Sequence, residues 1–141
     1  MKIVVLAVGK MRDRNMAALC DDYLARVRRH VPAEAIEVDD DAALLRRIPA
    51  SGAVVVALEP GGESWDTAQL TGFIGKQMLH GTRSLVFLIG GSDGLTPAAV
   101  ARAGYRLSLS PLTLPHRLAR VVLCEQIYRA LSILRDEPYS R

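Results

Sequence analysis

Two short loops carry the residue types best suited to chemistry in this chain: Gly90-Gly91-Ser92-Asp93-Gly94 and Ser110-Pro111-Leu112-Thr113-Leu114-Pro115-His116. The first follows Leu85 to Ile89, an unbroken apolar run, which is the mark of a strand buried on both faces of a parallel sheet. Glycine at the carboxyl end of such a strand lets the backbone turn sharply and approach a ligand, and open α/β sheets bind their ligands at that end. In the second loop Pro111 and Pro115 restrict the backbone, Ser110 and Thr113 offer hydroxyls, and Leu112 and Leu114 offer apolar surface. A rigid loop of this kind suits a flat, partly apolar ligand whose polar edge is read by backbone groups. A third loop, Pro60-Gly61-Gly62-Glu63-Ser64, follows the apolar run Ala53 to Leu58 and has the same standing.

Other chemistries find less support. His30 and His80 have no Cys, His or carboxylate at ligand spacing, so no metal site is expected. His116 closes the second loop and either faces the ligand or caps the last helix. Cys20 and Cys124 lack Cys-x-x-Cys spacing and sit among apolar helical residues, which predicts buried thiols. Asp39, Asp40 and Asp41 suit a helix amino terminus better than a metal. A dinucleotide fold built on the Gly90 loop would need an acidic residue about 20 positions on, where Ser108 to Ser110 supply no carboxylate.

These loops need strands and helices to hold them. Lys2 to Val8 reads as a central strand, and Ala35 to Val38, Ala53 to Leu58, Leu85 to Ile89 and Tyr105 to Leu109 as further strands. Helices are predicted from Asn15 to Val31, stopped by Pro32, then over Ala42 to Ile48, from Trp65-Asp66-Thr67 to about Leu79, and from Pro97 with Thr96 as N-cap. Trp65, the only tryptophan, is expected to pack and pin its loop. The alternation of strand and helix gives one α/β domain, residues 1–141, with a mostly parallel sheet flanked by helices. The last helix, about Arg117 to Leu134, is apolar around most of its circumference, leaving Glu125, Gln126, Arg129 and Ser132 as a narrow polar stripe. Glu125 and Arg129 are spaced as an i,i+4 pair. A terminal helix of that kind points to an interface and predicts a homodimer.

Composition bounds the rest. At 141 residues and 50% hydrophobic, the chain can bury a real core. No apolar run approaches the roughly 20 residues of a membrane span, and the amino terminus lacks a signal pattern, so a cytoplasmic protein with no membrane partner is expected. The net charge of +3 permits contact with a polyanion. Basic residues gather at Lys10, Arg12 and Arg14, at Arg26, Arg28 and Arg29, and at Arg46-Arg47.

With these residues in order, the chain resembles the SPOUT-class ribosomal RNA large subunit methyltransferase H family, which methylates N3 of a pseudouridine in 23S rRNA. The resemblance spans the chain and rests on Met1 to Gly9, Leu58, Gly61 to Thr67 with Trp65-Asp66-Thr67, Leu88 to Gly91 with Gly94-Leu95, Leu107-Ser108, Leu112 to His116, Glu125 to Ala130 and Pro138-Tyr139. It implies a SPOUT (α/β knot) fold with a deep carboxyl-terminal trefoil knot over about residues 84–134. It also implies an obligate homodimer with a shared active site and S-adenosyl-L-methionine as cofactor. Cofactor contacts carried over by position are Leu58, Gly90, Leu109, Ser110, Pro111, Leu112, Thr113 and Leu114. The implied partner is 23S rRNA on the assembled ribosome, a substrate defined by shape. The catalytic residues carried over are Tyr139, Ser140 and Arg141, at the family's terminal Tyr-His-Arg. Serine stands here for histidine and cannot act as a base near neutral pH. Arg141 is thus the expected catalytic or RNA-orienting group. The alternative is a non-catalytic ribosome-binding protein that keeps the cofactor site.

Overall fold

The computed structural model describes residues 1–140, the side chain of Ser140 excepted. Five strands, β1 (Lys2–Val8), β2 (Ala33–Val38), β3 (Ala53–Ser64), β4 (Ser84–Ile89) and β5 (Tyr105–Ser108), alternate with helices α1 (Arg14–Val27), α2 (Asp41–Arg47), α3 (Thr67–Leu79), α4 (Pro97–Arg102) and α5 (His116–Leu134). The sheet is parallel throughout, in the order β2-β1-β4-β3-β5. Its two most apolar strands, β1 and β4, are thus inner ones, as is β3.

Each face of the sheet has its own core. Ile3, Val5 and Ala7 of β1 and Leu85, Phe87 and Ile89 of β4 pack beneath α1, α3 and α5. Val4, Leu6, Val86 and Leu88 point the other way, towards Leu44 of α2 and Ala99 of α4. The period-two alternation of side chains thus places an apolar residue on both faces at every step, which is why these strands read as unbroken apolar runs.

Helix boundaries follow their capping chemistry. Asp13 accepts from the amides of Asn15 and Met16, and Asp40 from Ala43. Asp66 and Gln69 form a reciprocal capping box, and Thr96 caps α4 ahead of Pro97. The acidic run is thus a cap, and its next residue, Asp41, accepts from the Thr96 amide at 2.6 Å.

Three expectations need correction. The first helix ends at Val27, not Val31, because Arg28 to His30 form a tight turn whose Arg28 side chain donates to the Ala33 carbonyl at 2.8 Å. The segment Pro60 to Ser64 is not a free loop: β3 continues through it, and after a register break between Leu58 and Glu63 it pairs again with Leu107 and Ser108 of β5. The last helix does not owe its apolar circumference to an outer partner. It lies between α1 and α3, with Leu123, Cys124, Ile127, Ala130 and Leu131 buried, and Ser132 of the expected polar stripe is buried too, donating to the Arg129 carbonyl at 2.7 Å. Only Leu118, Ile133 and Leu134 among its large apolar side chains are exposed.

Candidate cofactor cavity and carboxyl-terminal cluster

Beyond the carboxyl ends of β3, β4 and β5 the chain forms a cavity of about 790 Å³, open on one side to solvent. Its walls are Leu58 to Pro60, Ile89 to Leu95, Leu107 to His116, and Ala119 on the first turn of α5. Leu58, Gly90 and every residue from Leu109 to Leu114 contribute to it, so the structure brings together all eight residues singled out for the cofactor.

Local hydrogen bonds shape both loops. Gly94 adopts φ +77° and its amide bonds the Gly91 carbonyl at 3.0 Å, folding the first loop back on itself. A side chain at Gly90 would clash with the Gly94 carbonyl carbon and sit 2.5 Å from the Leu95 amide nitrogen. The glycine thus permits the sharp turn expected from the sequence, and it lies in the cavity wall. In the second loop the buried Ser108 hydroxyl donates to the Ser110 carbonyl at 3.0 Å, and the Leu112 amide donates to the Ser110 hydroxyl at 2.9 Å. These bonds lie past the last ladder pair, Ser64 with Ser108, so the backbone from Leu109 to Leu114 is not committed to the sheet. Leu112 is left 76% exposed at the rim.

The cavity's charge is mixed. Glu59 and Asp93 bring carboxylates to the wall, that of Glu59 paired with Arg106 at 2.8 Å. His116 does not cap α5 through its side chain; it lines the cavity, where burial, then Arg117 and Arg120, hold its imidazole below the usual range. It is therefore neutral near neutral pH. Leucine side chains, backbone amides and carbonyls beyond the sheet ladder, and a carboxylate suit a nucleoside-like ligand that also carries positive charge.

Behind this wall Arg120 is 3% exposed. Its guanidinium donates to Glu37 of β2 at 2.5 Å and to the Gly9 carbonyl at 3.0 Å, and the same Glu37 oxygen accepts from the Met11 amide at 2.7 Å. Burial would raise the Glu37 carboxyl, but the Met11 amide and Arg120 hold it below the usual carboxylate range. Sequence reading passed over Arg120; its signal was a cation inside the apolar run of the last helix.

Tyr139 is not at the cavity. Its ring packs on Tyr128 at 4.6 Å between centroids, its hydroxyl lies 3.5 Å from that of Tyr23, and Arg129 sits over its face with the guanidinium carbon 5.0 Å from the centroid. Burial, then the Tyr23 hydroxyl and the Glu125 charge, push the Tyr139 phenol up to about 12. Arg129 donates to Glu125 at 2.6 Å, Gln126 contacts Glu125, and Thr67 at the start of α3 donates to Gln126 at 2.8 Å. Arg129 is thirteen residues along α5 from His116, about 20 Å at the helical rise, so cavity and tyrosine cluster of one chain are separate. The Ser140 side chain and Arg141 lie outside the described residues. Cys20 and Cys124 are both buried and unbridged, and their thiols hydrogen-bond each other, which with burial raises Cys124. Among the described residues no group of three His, Cys, Asp or Glu could hold a metal ion, and no helix is long and apolar enough to cross a membrane.

Known proteins place this architecture. A family described as "Predicted SPOUT methyltransferase" matches residues 1–140. The ribosomal RNA large subunit methyltransferase H of Sorangium cellulosum is 46% identical over 145 residues, covering 99% of both chains, and that of Solibacter usitatus is 43% identical over 142 residues, covering 100% of both. Among solved structures, the SpoU methyltransferase AviRb of Streptomyces viridochromogenes, in complex with the cofactor AdoMet, superposes with a TM-score of 0.52 at 16% identity over 89% of this chain and 56% of its own. The A. aeolicus TrmH/SpoU tRNA modifying enzyme gives 0.56 at 14% identity over 95% and 75%. At those identities the solved structures establish the fold, and the family match with the full-length relatives establishes the lineage: this chain belongs to the SPOUT methyltransferase family.

Proposed function

We propose that this protein is an S-adenosyl-L-methionine-dependent methyltransferase acting at N3 of a pseudouridine in 23S rRNA on the assembled ribosome. The observation that carries the reading is the convergence of Leu58, Gly90 and Leu109 to Leu114 on one cavity at the carboxyl edge of the sheet, in a chain whose full-length relatives are named as ribosomal RNA large subunit methyltransferases. The cavity fits the cofactor: apolar walls and backbone groups outside the sheet ladder suit an adenosine, and the Asp93 carboxylate suits a ligand bearing ammonium and sulfonium charge, whereas Glu59 is already paired with Arg106. When bound, that group supplies a methyl on an electrophilic sulfonium.

The protein's own part is positioning and charge. The loops after β4 and β5 hold the cofactor and exclude water. The acceptor nitrogen must lose a proton, which passes to water as the imide ionises, and a fixed cation beside it favours that ionised imide. Arg129, oriented by Glu125 and by the Tyr139 ring, supplies that cation, together with Arg141. Tyr139, with its phenol pushed up to about 12, stays protonated and orients rather than accepts the proton. Because Arg129 is about 20 Å along α5 from His116, the cluster that completes a cavity belongs to a second copy, which makes the working unit a homodimer knotted as in the family. Residual exposure of Leu118, Ile133 and Leu134 fits burial between copies.

Mixing two inactive variants tests this reading. Ser110→Arg blocks the cavity and Arg129→Ala empties the cluster, and exchange of their subunits should restore about a quarter of wild-type transfer, from mixed dimers with one intact composite site. No recovery, with mixed dimers demonstrated, would put the whole site within one chain.

A further inference from the structure

The loop between β1 and α1 runs along the edge of the cavity. Val8 lies beside Gly91, 3.5 Å from where a Cβ on that glycine would be. Arg117, next to the cavity residue His116, donates to the Lys10 carbonyl at 3.2 Å. The buried Arg120 guanidinium holds the Gly9 carbonyl, Glu37 holds the Met11 amide, and Asp13 caps α1. The backbone from Gly9 to Asp13 is thus fixed at four points, and none of these bonds uses the side-chain charge of Lys10, Arg12 or Arg14.

Those three side chains are exposed. Among the described residues none of them forms an ion pair, whereas Lys2, Arg26, Arg106 and Arg129 each face a carboxylate. Two carboxylates near this loop are already bonded, Asp13 by the helix amides and Glu37 by Met11 and Arg120, although Glu37 also feels the charge of Lys10. The one partly buried cation beside them, Arg117, adds to the same sign. A rigid backbone that presents unneutralised cations at the mouth of a cavity suits a polyanion tracked by its backbone.

We propose that Lys10, Arg12 and Arg14, with Arg117, form the grip on the phosphodiester backbone of the RNA whose base enters the cavity, and that Arg120 and Glu37 are the positioning residues that set this grip. The inference rests on the methyltransferase reading. The grip reads charge and spacing and leaves base selection to the cavity.

The test is binding of ribosomal particles lacking the modification across a salt series, for wild type and for the triple variant Lys10→Gln, Arg12→Gln, Arg14→Gln. Affinity of the triple variant should fall at least 10-fold near physiological salt, and the slope of log affinity against log salt should shrink by about 2 to 3, since each lost phosphate contact removes about 0.7–0.9. Cofactor affinity should be unchanged, which also shows that the variant is folded. The control Arg46→Gln, Arg47→Gln neutralises the end of α2, on the opposite face of the sheet from α1, and should leave the slope in place. An unchanged slope in the triple variant, or an equal fall in the control, would overturn the assignment. If wild type binds particles yet transfers no methyl to them, the methyltransferase reading fails while the slopes still report on the grip.

Discussion

Arg129 lies across the ring of Tyr139, its guanidinium carbon 5.0 Å from the centroid, while its Nε donates to Glu125 at 2.6 Å. One cation is thereby fixed from two sides, by an aromatic face and by a carboxylate one helical turn away. The arrangement holds a charge in one orientation at a half-exposed place, which suits a ligand brought there from outside.

Arg129→Ala should lower methyl transfer on the order of 10²-fold, the effect of removing one preorganised charge-stabilising group, with cofactor affinity unchanged by equilibrium titration. Arg129→Lys should recover little, because an ammonium lacks the planar fork that bonds Glu125 and stacks on Tyr139. Full activity in the lysine variant would reduce the role to simple charge.

Tyr139→Phe should keep the ring packing and most of the rate. A phenol pushed up to about 12 does not titrate near neutral pH, so the pH–rate profile between about pH 6 and 9 should be unshifted. Loss of the alkaline or acid limb of that profile in the phenylalanine variant would make Tyr139 a proton carrier.

Glu37 and Arg120 should respond unequally to substitution. Arg120 is buried, so Glu37→Gln leaves an uncompensated buried cation and should cost about 3–5 kcal/mol in urea unfolding. Glu37 is 38% exposed at its side chain, so after Arg120→Met water can solvate the carboxylate, and the cost should be nearer 1–2 kcal/mol. The reverse order would mean that the pair is held mainly by Glu37's other contact, with Met11.

Stability should fall in acid by two steps. The folded-state values of both His116 and Glu37 are depressed, so the unfolded chain binds more protons and stability rises with pH across each window. For His116 the stabilisation is complete above the unfolded imidazole value and is lost as pH falls through the lower folded value. For Glu37 the same holds in the carboxylate range. Thermal unfolding against pH should therefore lose its slope just below about pH 6.5 in His116→Gln and keep its slope in the carboxylate range.

The sheet and the cavity were largely legible in the sequence because each rests on local signals. Unbroken apolar runs marked β1 and β4 as inner strands, and Gly90, Pro111 and Pro115 marked the loops at the strand ends. Three things required the folded chain. The continuation of β3 through Gly61 and Gly62 depends on pairing with Leu107 and Ser108, more than forty residues away by number, and the glycines alone read as a loop. The apolar circumference of α5 came from burial between α1 and α3, which periodicity cannot distinguish from a subunit contact. Cys20 meeting Cys124, and Arg120 meeting Glu37 and Gly9, are contacts between α5 and segments near the amino terminus that no spacing encodes. At the tail, the pairing of Glu125 with Arg129 was readable as an i,i+4 motif, but its stacking on Tyr139 was not.

The most direct measurement is transfer of a labelled methyl group from S-adenosyl-L-methionine to assembled ribosomes lacking this modification, beside naked 23S rRNA, with the product nucleoside identified. The account predicts label on ribosomes, at N3 of a pseudouridine, and little on naked RNA, with Ser140 in place. No label on either substrate, from protein shown to bind the cofactor, would contradict it and leave a ribosome-binding protein that has lost its chemistry.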